Sequence, residues 1–213
     1  MRKPLLSWIL GIVLAGPALA QDLKPVELPK PDMEGGKPLM QVLKARQSGR
    51  EFSAEKLPPQ VLSNLLWAAW GINRPDSGRR TAPSASNRQE VEIYVAAAEG
   101  LYLYDAKAHR LQPVVAKDLR AATGRQPFVG EAPLNLVYVA DYSKMGKGSD
   151  EQKAFISGAD TGFIGQNVYL YCASEGLVTV VRAMVDQAVL AKAMNLRLDQ
   201  RITLAQTVGY PKK

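Results

Sequence analysis

The spacing of apolar residues changes period along the chain, and each change marks an element. Leu39, Val42 and Leu43 fall at helical spacing behind Pro38, which predicts a first helix over residues 38–46 with Gly49 just past it. Val61, Leu62, Leu65, Leu66, Ala69 and Trp70 make one stripe of a second helix that starts at Pro58 or Pro59 and stops at Gly71. The period then drops to two. Val91, Ile93 and Val95 predict a strand over residues 91–97, followed by strands at 100–104 and near 111–114, with turns at Glu99-Gly100 and at 105–109 that suit antiparallel neighbours. Residues 117–122 read as a short helix before Gly124. Residues 134–140 are apolar without alternation between Pro133 and Asp141, the pattern of a central strand buried on both faces. Residues 150–176 return to helix, and Phe163, Ile164, Val168, Leu170, Tyr171 and Cys172 leave it little polar face. Such a helix is expected to be buried almost all round, either threading the core or lying in a subunit interface. A strand at 178–184, a helix at 187–194 and a last strand at 202–208 complete the list. Helices and strands interleave without a βαβ rhythm, which places the chain in the α+β class.

The ends carry different information. Arg2 and Lys3, an apolar run from Leu5 to Ala15 and the Ala18-Leu19-Ala20 site read as a secretory signal cleaved after Ala20. The run is too short to span a bilayer and Pro17 follows it, so no permanent membrane anchor is expected. With no Arg-Arg pair before the run and no cysteine near the site, the signal is of Sec type and the destination periplasmic or extracellular. That route threads unfolded chains, so a non-covalent cofactor would join after translocation. Residues 21–37 carry Pro25, Pro29, Pro31, Gly35 and Gly36 and read as a linker from the export machinery or an arm embracing a partner. Residues 38–213 then form one domain. The chain's formal charge of +7 falls by two when Arg2 and Lys3 leave with the signal, and the remaining cations are spread among acids, so nucleic acid is not an expected partner. The single cysteine, Cys172, excludes an internal disulfide.

Several chemistries are excluded by what is missing. One histidine and one cysteine, far apart, make no familiar metal-ligand pair, and His109 sits in a charged turn where solvation is expected. Gly-x-Ser-x-Gly is absent, and Cys172 lies in an apolar helix that raises a thiol's pKa, so nucleophilic hydrolysis is not supported. No strand leads into Gly-x-Gly-x-x-Gly, and there is no Walker loop. Asp150 and Glu151 are placed to meet a helix dipole, not to act as an acid and base. Two polar clusters remain: Arg46-Gln47-Ser48-Gly49-Arg50-Glu51-Phe52, and residues 79–89, which end in Pro83-Ser84-Ala85-Ser86-Asn87-Arg88-Gln89. Either alone also suits a solvated basic loop. The first offers two guanidinium forks and a hydroxyl, which fit a phosphate; the second offers neutral donors and acceptors on a turn. One ligand serving both has an anionic end and a polar heteroaromatic end.

Taken in order, Arg46-x-Ser48-x-Arg50-x-Phe52 after a helix, Pro83-Ser84-Ala85-Ser86-Asn87-x-Gln89 before a strand, and Gln166-Asn167 on a helix that ends at Gly176-Leu177 resemble the nitroreductase family of FMN-dependent oxidoreductases. The hairpin at 100–105 and the closing Val208-Gly209-Tyr210-Pro211 resemble its azoline-oxidase branch. The resemblance implies an α+β fold with a mixed, mainly antiparallel sheet flanked by helices around a long buried central helix. It also implies a homodimer with FMN held between subunits and two-electron transfer at flavin N5 to a small-molecule acceptor. By it, Arg46, Ser48 and Arg50 meet the phosphate and ribityl end. Pro83, Ser84, Ala85, Asn87 and Gln89 complete the cofactor set, with Asn87 approaching the isoalloxazine. The family needs no dedicated side-chain nucleophile or base, and none is assigned. Residues 120–130 and 142–148 are candidate loops over the substrate.

The chain departs from the family's pattern in two ways. It ends at Lys212-Lys213, where relatives carry basic residues further on that close over the phosphate. It also carries an export signal, which separates it from cytosolic nicotinamide donors. The alternative to an enzyme is a non-catalytic flavin- or small-ligand-binding protein that retains the fold.

Overall fold

The computed structural model describes residues 23–213; the signal reading of residues 1–20 lies outside them. In chain order come strand β1 (Val26–Glu27), helices α1 (Leu39–Ala45) and α2 (Pro59–Trp70), a small hairpin of β2 (Ile72–Arg74) and β3 (Arg79–Arg80), and a meander of β4 (Val91–Ala97), β5 (Gly100–Asp105) and β6 (Arg110–Val115). The one-turn α3 (Phe128–Glu131), β7 (Leu134–Asp141), the 26-residue α4 (Asp150–Glu175), β8 (Val178–Arg182), α5 (Gln187–Ala193) and β9 (Gln200–Gly209) follow. Seven strands form one sheet in the order β1-β6-β5-β4-β7-β9-β8, and every neighbouring pair is antiparallel.

The apolar run of β7 is explained by its place in the middle of this sheet. Leu134, Leu136 and Tyr138 join Val91, Ile93 and Val95 of β4 under α2 and α4, while Val137 and Val139 join Tyr94 and Ala96 on the opposite face with Leu190 and Met194. Two covered faces turn a period-two pattern into a continuous run, and each fully buried large aliphatic side chain contributes about 1.5–3 kcal/mol.

Helix α4 starts at a capping box between Ser149 and Gln152, carries Asp150 and Glu151 in its first turn, and ends at Gly176 in the left-handed region. Within the single chain it is buried along one face. Ser157, Asp160, Thr161, Ile164, Gly165, Val168 and Cys172 make one buried face, while Phe155 is 80% exposed and Phe163 49%. The sheet and α2 cover one side only. On the neighbouring α1, Leu39, Met40 and Leu43 are exposed as well. Apolar surface of this kind marks an interaction face.

Four expectations are corrected. Residues 21–37 are not a free arm along the described part, because β1 pairs with β6 and the Asp32 N–H donates to Asn64 Oδ1 of α2 at 2.9 Å. His109 is not solvated: Nε2 lies 2.7 Å from Ser63 Oγ and 3.1 Å from the Pro29 carbonyl, Nδ1 lies 3.0 Å from the Tyr104 hydroxyl, and burial lowers its pKa. In place of a helix at 117–122 there is a 3-10 turn at Arg120–Thr123, because the Asp118 carboxylate takes the Arg120 N–H and its guanidinium. The strand expected to reach residue 184 stops at Arg182, where the backbone turns and the Val185 N–H donates to the Ala183 carbonyl. Among the described residues no helix is long and apolar enough to cross a membrane.

Candidate active site

The first cluster leaves α1 with Arg46, whose N–H donates to the Val42 carbonyl, and runs extended along the edge of β8. The Gly49 N–H donates to the Thr179 carbonyl at 3.1 Å, and its Cα lies flush against Val178; a Cβ here would meet Val178 Cγ1 at 2.5 Å. Tyr169 of α4 organises the other side. Its hydroxyl accepts the Val181 N–H at 3.0 Å and lies 2.8 Å from Ser48 Oγ, while the Arg46 guanidinium stands 5.2 Å over its ring. Phe52 is buried against Phe128 and pairs with Pro211, and the Lys212 N–H donates to the Glu51 carbonyl, so the chain's end runs beside Arg50. A cavity of about 290 Å³ opens here between Gln47, Gly49, Tyr169, Thr179 and Pro211. Among the described residues neither Arg46 nor Arg50 belongs to an ion pair. The lining includes neither arginine nor Ser48; two uncompensated guanidiniums on the same segment nonetheless suit an anion.

The second cluster is a tight loop. Ser86, Asn87 and Gln89 all have positive φ, at 55°, 52° and 51°, which is left-handed backbone for residues with side chains. Ser84 accepts twice, its carbonyl from the Asn87 N–H and its Oγ from the Gln89 N–H. Gln89 is the hub: Oε1 accepts Arg80 Nε at 2.8 Å, and Nε2 donates to the Gly78 carbonyl and to Asn87 Oδ1. Arg80 in turn stacks 4.8 Å over Trp70. From below, Asp160 of α4 accepts the Ala85 N–H at 2.9 Å. Ser84 and Gln89 therefore spend their polar atoms inside the loop, and Pro83, Ser86 and Asn87 form its exposed crest.

The clusters are anchored at different places on α4. One hangs on Tyr169 and the other on Asp160, nine residues apart on α4 and so separated by roughly 13 Å along its axis. The cavity beside the first has no residue of the second in its lining. Sequence reasoning missed both anchors. An aspartate in mid-helix among residues spaced for burial was the available signal for Asp160; Tyr169 gave none apart from its place on the same helix.

A family model described as nitroreductase matches residues 43–210. The chain belongs to the nitroreductase family. The family is one of flavin-dependent oxidoreductases, and its fold is the α+β arrangement described above. A nitroreductase-named protein of Methanocaldococcus jannaschii is 33% identical over 175 residues, spanning 77% of this chain and 87% of its own. A crystal structure from Ralstonia eutropha JMP134, also described as a nitroreductase, superposes with a TM-score of 0.86 at 43% identity and covers 92% of each chain. A nitroreductase from Desulfovibrio desulfuricans, solved in complex with FMN, shares the fold at a TM-score of 0.60 and 22% identity, covering 83% of this chain and 88% of its own.

Proposed function

We propose that this nitroreductase is an exported FMN-dependent oxidoreductase, working as a homodimer outside the cytoplasm with a small-molecule acceptor. The observation that carries the reading is the pair of unpaired guanidiniums, Arg46 and Arg50, flanking Ser48 on a segment that lies close against Val178 at Gly49. These residues fit the phosphate end of FMN, and the backbone pairing of Lys212 with Glu51 brings another basic residue alongside. FMN, when bound, supplies two-electron chemistry at N5.

The ring end is assigned to the crest of the 83–89 loop, with Asn87 foremost. In keeping with the family's site between subunits, the site is assembled from the first cluster of one protomer and the second of its partner, the two being anchored nine residues apart on α4. The exposed faces of α1 and α4, with Met40 and Phe155, supply the apolar surface for that dimer. The hairpin of β5 and the closing Val208 to Pro211 support a place near the azoline-oxidase branch. Outside the cytoplasm the electron donor is a reduced partner other than NADH or NADPH.

Mature protein recovered from the periplasm or medium is expected to be yellow, or to become so with added FMN. A colourless protein that takes up no FMN defeats the reading. Bound flavin that passes electrons to no quinone, nitroaromatic or azoline acceptor would instead mark a binding protein that retains the fold.

A further inference from the structure

Beneath the 83–89 loop lie two acids that the proposed chemistry does not use. Glu90, the residue before β4, is 0% exposed, and Asp160 of α4 is 4% exposed. Asp160 Oδ2 accepts the Ala85 N–H. Neither carboxylate oxygen of Glu90 finds a donor among the described residues, and the carboxyl within hydrogen-bond reach is that of Asp160. Two buried carboxylates facing each other repel strongly in a medium of low dielectric, and one proton between them turns the repulsion into a hydrogen bond.

The charged groups around the pair do not replace that proton. Arg88 attracts Glu90, but more weakly than Asp160 repels it. From β7, Asp141 donates only its backbone N–H to the Glu90 carbonyl, and its side chain is taken by Ser143, Lys144 and Arg197.

We propose that Glu90 and Asp160 share a single proton, and that this shared proton holds the 83–89 loop in the conformation that receives the flavin ring. Glu90 carries the proton and donates it to Asp160, which stays an anionic acceptor for the Ala85 N–H. Loss of the proton to solvent leaves two charges in contact, pushes Asp160 from Ala85, and loosens a loop whose left-handed residues are then held by Ser84, Gln89 and Arg80 alone. The pair positions the loop and takes no part in electron transfer. Burial, foremost, and then Asp160 lift the Glu90 pKa from 4.5 to about 7, which places the release near neutral pH. Because the folded value is raised, the stability from this group is complete below about pH 4.5, falls as pH climbs through about 7, and is absent above. The lowered pKa of His109 works in the opposite sense over part of this range, so the informative quantity is wild type minus variant.

The loop's link to flavin rests on the function proposed above; the shared proton does not. In mature full-length protein, the wild-type FMN dissociation constant should rise several-fold between about pH 6 and pH 8.5. Glu90→Gln, whose amide donates to Asp160 at every pH, should bind FMN as the acidic wild type does, with a flat profile. In flavin-free protein, the wild-type Tm should fall relative to Glu90→Gln over the same range, and the labelled Glu90 carboxyl carbon should titrate near neutrality. Should Glu90→Gln fail to fold, Asp160→Asn preserves both contacts and serves in its place. Parallel pH profiles for wild type and variant, or a Glu90 resonance that titrates in the ordinary carboxylate range, overturn the proposal. If no variant binds FMN at any pH, the flavin reading fails, while Tm and the titration still decide whether the proton is shared.

Discussion

Residues 46–52 and 83–89 hold the two ends of the candidate site by opposite means. The first segment is relaxed: extended backbone bonded to the Thr179 carbonyl, a glycine fitted against Val178, a tyrosine hydroxyl bridging Ser48 and the Val181 N–H. Its ligand-facing groups are long charged side chains on a fixed track. The second is strained. Three residues with side chains sit at positive φ, each at a cost on the order of 1–3 kcal/mol, and the shape persists because Gln89, Arg80 and Asp160 over-determine it. A phosphate needs charge at a fixed place and tolerates loose side chains, whereas a planar ring needs a crest of fixed shape. On the proposed reading, the contrast follows from what each end would recognise.

Substitutions that strike one segment and spare the other test this division. Gly49→Val drives a side chain into Val178 and should have the largest effect, costing about 1–3 kcal/mol of stability and abolishing FMN uptake; thermal melting and flavin titration measure both. Arg50→Ala should leave Tm nearly unchanged and weaken FMN binding by about 1.5–3 kcal/mol, because an exposed guanidinium on the relaxed segment supports the ligand and not the fold. Gln89→Ala should lower both stability and FMN affinity. It removes the hub of the loop and leaves Arg80 Nε without its acceptor, lowering stability by about 1.5 kcal/mol even without flavin. Tyr169→Phe should have the smallest effect, about 1 kcal/mol, since it deletes the acceptor of the Val181 N–H but keeps the ring under Arg46. Equal losses of stability in Arg50→Ala and Gln89→Ala would erase the distinction.

Local signals carried much of the fold. Pro59 and Gly71 bracket α2, Ser149 and Gly176 bracket α4, and the unbroken apolar run of β7 reports its central place. What stayed hidden depends on distant partners. Glu90 stands between Gln89 and Val91 and reads as a polar residue at the mouth of a strand; the fold buries it, and α4 brings Asp160 to it from seventy residues away. His109 looked solvated until Ser63 of α2 and the Pro29 carbonyl closed over it. The aromatic residues of α4 suggested burial all round, and the single chain leaves Phe155 and Phe163 uncovered. The site followed the same rule. Arg46, Ser48, Arg50 and Asn87 were visible as polar residues around chain breakers, but their separation along α4 was not, because it depends on which turn of that helix each cluster reaches.

The central claim, one flavin site built from the first cluster of one protomer and the second of its partner, is tested most directly with mixed dimers of Arg50→Ala and Gln89→Ala protomers. Such a dimer carries both lesions in one site and neither in the other. Flavin titration should recover wild-type affinity at one site per dimer. Binding no tighter than in the two parent dimers would place both clusters on the same chain's site and contradict the account.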